Sequence, residues 1–387
     1  MVTGKNILCF ANDWDADPTS KHQVMKVLGE AQSCLVGRIH RASQAGANAG
    51  DAARMQAKIQ KCLKGPRTVA PGLTVLTPLV IPFHDWRGVP TFNAHWLSWY
   101  VKRQLSKLGM NPFQFWSFMP TTARFLSHLR PDKVVYYCVD EWSAFTFLNG
   151  KLMEQMEGDL IRRSDVVIAS AEKLYESKRR LNRHTYLVPH GVDSEHFGKA
   201  LRAETVVPEE IVRLPRPTIG FWGLIHEWID LDLVRQVAEQ RPQWSFVFVG
   251  KVGVDCGSLA RRPNVHFPGV RPYESLPAFA KGFTAAILPF KINRLTENVN
   301  PIKLREYLAA GLPVVSTPLR EAKVYRNVVR FGADAEEFCH TLDLAVQDTS
   351  QKAVQTKLDA VSGATWEARV EQISRHVEEA DEPPVNG

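Results

Sequence analysis

Short apolar runs alternate with longer amphipathic stretches along nearly the whole chain, and this alternation limits the fold more than any other feature. A short apolar strand followed by a helical stretch is the pattern of parallel β-α-β units, in which helices cover both faces of a sheet. In the first half, strands are expected near 6–11, 73–77, 113–118, 133–139, 166–170 and 185–188. Helices are expected near 20–36, 93–108, 121–129, 151–163 and 171–181. Residues 42–64, rich in Ala, Gln and Gly, read as a partly helical excursion from the series.

Between 194 and 217 the pattern breaks under Gly198, Pro208, Pro215 and Pro217, the composition of a linker. A second series then begins, with strands near 218–222, 245–249, 264–267, 284–288 and 313–316. Its helices fall near 231–240, 275–281 and 301–310, and the tail adds two more near 335–346 and 365–379. At 387 residues the chain exceeds the length at which one hydrophobic core usually splits. The expected architecture is α/β: two Rossmann-like, doubly wound domains facing a cleft. The first spans 1–193, the linker 194–217 and the second 218–363, with a last helix and tail over 364–387. Ligands of such sheets bind outside the carboxyl ends of the strands.

No apolar run approaches the roughly 20 residues that a membrane-spanning helix needs. The first residues lack the charged start and long apolar core of a signal peptide, so a cytoplasmic protein is expected. The six cysteines show no paired spacing, which disfavours a metal or redox motif and reads as structural thiols. Charge is unevenly placed: between 52 and 131 there are eleven basic residues and one acidic residue, Asp85, among Trp86, Trp96, Trp99, Tyr100 and Trp116. Basic and aromatic residues together suit an anionic membrane surface or an anionic acceptor, placing the protein at the inner face of a membrane. A solvated basic face over buried aromatics explains the segment equally well. Nucleic acid is disfavoured, because no binding motif accompanies the charge.

The stretch 298–317 carries the most chemistry. Asn300 is expected to cap a helix with Pro301 in its first position, and Gly311 to end it before a strand. A helix N-terminus at the cleft favours an anion such as diphosphate. Lys303 and Glu306 stand three apart on one face, a cation suited to phosphate and a carboxylate suited to ribose hydroxyls. On spacing alone they serve equally well as a surface ion pair. In the first half, the apolar run 134–139 ends in Asp140 and Glu141, where a general base or a helix cap belongs. The loop 12–22 holds Asp13, Asp15 and Asp17 just before a helix, where acids are favoured without any metal.

These segments resemble the GT-B glycosyltransferases. Lys303, Glu306 and the run Ala309-Ala310-Gly311-Leu312-Pro313-Val314-Val315 are similar to that family's donor-nucleotide helix. Four further pieces fall in the family's order: Pro189-His190-Gly191-Val192-Asp193, Gly220-Phe221-Trp222-Gly223, Val249-Gly250 and Thr365-Trp366-Glu367. Among such enzymes the chain is most similar to bacterial cell-surface polysaccharide transferases, of the teichuronic-acid and xanthan-type branches. The resemblance implies transfer of a sugar from a nucleoside-diphosphate sugar, UDP-sugar favoured, to a saccharide or lipid-linked acceptor. It implies no metal or other cofactor, and a final helix that crosses back to the N-terminal domain.

Residue by residue, the resemblance assigns the ribose to Glu306 and the diphosphate to Lys303, with Asn300 at the helix start. Gly223 and His226 fall in the diphosphate loop, Asp140 is the matched base, and Asp13, Trp14, Lys21 and His22 face the acceptor. Many retaining relatives carry a second glutamate at the position of Asn298, with Glu297 one residue out of phase here. That departure leans toward inversion. An epimerase of the same fold and a non-catalytic membrane-surface scaffold are the alternatives; a dinucleotide-dependent dehydrogenase is disfavoured, because no Gly-x-Gly-x-x-Gly follows either opening strand.

Overall fold

Fourteen strands form two sheets in the computed structural model, which describes residues 3–11, 14, 18–38, 65–78 and 88–380. Contacts divide the chain into two units: Met1–Pro189 with Val370–Gly387, and His190–Arg369. The excursion expected over 42–64 lies outside the described residues.

In unit 1 the strands are β1 (Asn6–Ala11), β2 (Ser33–Arg38), β3 (Arg67–Ala70), β4 (Leu73–Leu76), β5 (Gln114–Ser117), β6 (Lys133–Cys138), β7 (Val166–Ala169) and β8 (Thr185–Leu187). They pair in the order β3-β4-β2-β1-β5-β6-β7-β8, parallel throughout except β3 against β4. Strand β1 sits where the order reverses, and Ile7 to Ala11 are fully buried, as a strand covered on both faces must be. The β3–β4 hairpin turns through Pro71 and Gly72. Gly72 has φ 65°, and a Cβ there would lie 2.0 Å from the Gly29 carbonyl oxygen, so only glycine fits.

In unit 2 the strands are β9 (Thr218–Trp222), β10 (Ser245–Val249), β11 (Val265–Gly269), β12 (Ala285–Leu288), β13 (Val314–Ser316) and β14 (Val329–Phe331). All pair in parallel, in the order β11-β10-β9-β12-β13-β14. The order reverses between β9 and β12, so their carboxyl ends open the crevice where such sheets bind ligands. The fully buried rings of Phe221, Phe246, Phe248, Phe279, Tyr307 and Phe338 fill this core.

Three expectations need correction. The helix expected over 20–36 stops at Ala31, and β2 follows at once beside β1; no glycine or proline separates the two in sequence, so periodicity ran them together. The tail holds a third helix, Gln351–Val361, capped by Ser350, whose Oγ accepts from the Ala353 N–H at 3.2 Å. The segment 194–217 is not a free linker but folds into unit 2. Asp193 caps the short helix Ser194–Gly198, and the buried Phe197 ring lies parallel to Trp222 at 5.7 Å. Its charges face outward, which is why composition misled.

The final helix, Trp366–Glu379, starts in unit 2 and belongs to unit 1 from Val370 onward. There Lys133 Nζ donates to the Val377 carbonyl, and His376 stacks on Tyr186 at 4.0 Å.

Because Phe197 is a core residue, Phe197→Ala is expected to lower the stability of unit 2 by about 3–5 kcal/mol. Urea unfolding followed by circular dichroism measures this; a linker residue would leave the transition unmoved.

Candidate functional site

At the end of β9 two glycines bring backbone strands unusually close. Gly223 has φ 128° and Gly250, ending β10, has φ 141°. A Cβ on Gly250 would sit 2.1 Å from the Gly223 carbonyl oxygen, and a Cβ on Gly223 would sit 2.0 Å from Lys303 Cε and 2.7 Å from its Nζ. The ammonium of Lys303 is therefore held directly over the β9 turn, 6.0 Å from the centre of the Phe221 ring. Backbone that lacks side chains beneath a cation is a surface on which phosphate oxygens pack closely.

Lys303 comes from the first turn of the helix Ile302–Ala309, and Glu306 from the next. Glu306 is buried, and its Oε2 accepts a hydrogen bond of 2.8 Å from the Trp222 indole N–H. The Trp222 backbone N–H donates to the Tyr307 hydroxyl at 3.2 Å. Burial pushes the Glu306 carboxyl above its ordinary pKa, while the Trp222 bond and the Lys303 charge pull it back down. Burial, then the charges of Glu306, Asp193 and Glu274, raise the Tyr273 phenol. Trp222 and Tyr273 were not singled out from sequence; an aromatic ending a strand carries no local sign of a partner 84 residues away.

Asn300 does not cap this helix. Its N-cap is Pro301, and no side chain caps it. The Asn300 Oδ1 instead accepts from Arg305 Nη1 at 2.6 Å and from the His190 backbone N–H at 3.3 Å, while its Nδ2 donates to Glu321 Oε2 at 2.5 Å. It ties the 189–193 turn to the helix start. His226, expected in the diphosphate loop, stacks on Trp228 at 4.7 Å and packs over Gly253. Asp230 caps the helix Leu231–Gln240, its Oδ1 accepting from the Leu233 N–H at 2.9 Å.

In unit 1, β6 ends at Cys138 and Asp140 follows in a half-buried bend. Glu141 behaves differently: its Oε2 lies 3.2 Å from Lys178 Nζ, and its Oε1 accepts from Ser143 Oγ at 2.5 Å. Lys178 also meets Glu157 Oε2 at 2.7 Å, and Glu157 Oε1 accepts from the Tyr136 hydroxyl at 2.7 Å. Burial alone depresses the Lys178 ammonium, but Cys138, Glu157 and Glu141 outweigh it and hold the pKa above its ordinary value. This buried cluster pins the chain on both sides of Asp140.

The expected acceptor residues fare unevenly. Asp13 lies outside the described residues. Trp14, Lys21 and His22 are all buried. His22 Nδ1 accepts from the Thr19 backbone N–H at 3.0 Å, so Nε2 carries the proton and donates to the Trp14 carbonyl at 2.9 Å. One ring nitrogen thus serves the helix start and the other the preceding loop at Trp14, rather than an open surface.

Known proteins share parts of this sequence and its fold. Residues 216–348 match the family model described as glycosyl transferases group 1. That match lies within unit 2. The chain is also 30% identical over 206 residues to TuaH of Bacillus subtilis, named as a teichuronic acid biosynthesis glycosyltransferase. That match covers 49% of this chain and 51% of TuaH, so the chain spans about half the length of the curated relative it matches. In fold it is similar to sucrose-phosphate synthase from Thermosynechococcus elongatus, with TM-score 0.71, 14% identity, and 97% and 98% of the two chains covered. Anabaena HepE, solved with UDP and glucose, gives 0.66 at 14% identity over 96% and 99%. The fold is GT-B.

Within the matched segment, Asn298 takes a structural role. It ends the 3-10 turn Thr296–Asn298, and its buried amide donates to the Arg294 carbonyl at 2.7 Å. His190 is also structural. Burial, reinforced by Arg305 and Arg369, pushes it down from 6.5 to about 3. The folded chain therefore binds fewer protons here than the unfolded chain, so the stability this confers is complete above pH 6.5 and lost as pH falls toward 3. Between pH 7 and pH 5, His190 is expected to cost the fold about 2 kcal/mol. Urea midpoints at the two pH values, compared with those of His190→Gln, measure the difference; equal slopes in both proteins would contradict it.

Proposed function

We propose that the chain is a glycosyltransferase that moves a sugar from a nucleoside-diphosphate sugar, UDP-sugar favoured, to a saccharide or lipid-linked saccharide in cell-surface polysaccharide synthesis. The observation that carries this reading is Lys303 held over Gly223, with buried Glu306 one turn on, inside a glycosyl transferases group 1 domain. TuaH and the UDP-bound HepE support the polymer class and the nucleotide respectively.

In this reading the Lys303 ammonium and the amides near Gly223 neutralise the diphosphate and stabilise it as it departs. Glu306 accepts hydrogen bonds from the ribose hydroxyls, already oriented by the Trp222 indole. Asp140 takes the proton of the acceptor hydroxyl as its oxygen attacks the anomeric carbon, the glycosidic bond to the diphosphate breaks, and the configuration inverts. Two observations support this division of work. Asp140 follows the carboxyl end of β6 in a half-buried bend, whereas Glu141 is buried against Lys178. Asn298, bonded to the Arg294 carbonyl, offers no carboxylate where retaining relatives carry one.

Calorimetry with UDP tests the donor assignment. Lys303→Ala is expected to weaken binding about ten- to hundredfold, the worth of a charge-assisted hydrogen bond. Glu306→Gln keeps an acceptor for Trp222 while removing the charge, and about a tenfold loss is expected. Unchanged affinity in both variants would overturn the assignment.

Asp140→Asn tests the base separately. Turnover should fall by about a hundredfold or more, while UDP affinity stays at the parental value. Product anomeric configuration, read by NMR, decides between inversion and retention. A thermal-shift series with UDP-, GDP- and ADP-sugars identifies the donor, since a ligand of the folded state raises the melting point.

A further inference from the structure

The helix Val89–Lys107 in unit 1 has two unlike faces. Ala94, Leu97, Val101 and Leu105 are buried against the sheet. On the opposite side Phe92, Trp96, Trp99 and Arg103 follow at spacings of three and four, which sets them in one row. Phe92 is 55% exposed, Trp99 53% and Trp96 36%. Trp96 stacks on Trp99 at 5.2 Å and on Tyr100 at 6.1 Å, and the Arg103 guanidinium lies 6.0 Å from the Trp99 ring centre. Contiguous exposed aromatic surface of this kind marks an interaction site, since water solvates it poorly.

Charge selects the occupant. Residues 88–131 contain Lys102, Arg103, Lys107, Arg124 and Arg130 and no acidic residue, and Lys102, Arg103 and Lys107 lie on this same exposed helix. Indole and phenol rings have an apolar body and a polar edge, the combination that settles at the headgroup layer of a bilayer. Cations beside them are drawn to anionic headgroups. No helix among the described residues is long and apolar enough to cross a membrane, so the contact is one of lying on the surface.

We propose that this row docks unit 1 on an anionic lipid bilayer. The helix leads into β5 and so runs antiparallel to the strands, which puts its Phe92 end toward the carboxyl ends of the strands, the end at which Asp140 follows β6. The docking itself does not depend on the proposed transfer reaction.

Co-sedimentation of the full chain with phosphatidylcholine vesicles, with and without phosphatidylglycerol, tests it in the absence of nucleotide. Binding is expected to the mixed vesicles and to be weak on the neutral ones. Lys102→Gln with Arg103→Gln should lower partitioning about 25-fold, about fivefold for each cation near the surface. Trp96→Ser with Trp99→Ser should lower it about tenfold, with UDP affinity and the circular-dichroism melt unchanged. Equal binding to neutral and anionic vesicles, or variants that bind like the parent, would overturn the proposal. A dimer seen by light scattering, dissolved by the tryptophan changes and indifferent to vesicles, would assign the row to a second copy of the chain instead.

Discussion

Trp222 ties the end of β9 to the helix Ile302–Ala309 twice, through its indole N–H to Glu306 and through its backbone N–H to the Tyr307 hydroxyl. The geometry at the carboxyl end of β9 follows from that double tether. It fixes the helix so that the first turn stands over Gly223, and Lys303 then has one place to go. The two glycines are required because the backbone of β9, the backbone of β10 and the lysine all converge there; any Cβ would occupy the space of a neighbouring atom. The arrangement carries a cost. Burying Glu306 disfavours its charge and raises its pKa, against the opposing pull of the indole bond and the nearby ammonium.

Unit 1 meets the same problem with a different device. Lys178 lies between Glu141 and Glu157, with Tyr136 and Cys138 bonded to Glu157. A buried ion cluster contributes little net stability, since desolvation offsets much of the attraction, but removing one member strands the others in a medium that cannot solvate them. Such a cluster therefore resists rearrangement. Here it holds β6, the bend at Asp140 and the helix Glu172–Lys178 in one relation.

Much of this was legible in advance because it is local. Alternating apolar runs placed most of the strands, and the three-residue spacing put Lys303 and Glu306 on one helix face. The misreadings share a cause. Asn300 before Pro301 has the form of a helix cap, yet its side chain is claimed by Arg305, His190 and Glu321. Residues 194–217 have the composition of a linker, yet Phe197 and Ile211 are enough to fold them into a core. His22 has the chemistry of a ligand-binding side chain, yet its nitrogens are taken by the Thr19 backbone and the Trp14 carbonyl. In each case a tertiary partner overrode a sound local preference.

The sequence by itself determined two α/β series, the helix that carries Lys303 and Glu306 on one face, and the basic, aromatic helix Val89–Lys107, because periodicity and charge are properties of neighbours along the chain. Only the tertiary structure decided that Glu306 is buried against Trp222, that Glu141 belongs to Lys178 while Asp140 stays in a half-buried bend, and that Asn298 and Asn300 are structural. Those outcomes depend on desolvation and on partners up to 110 residues away. The free energy of a buried polar group is set by what lies across the fold, and no spacing in the chain encodes it.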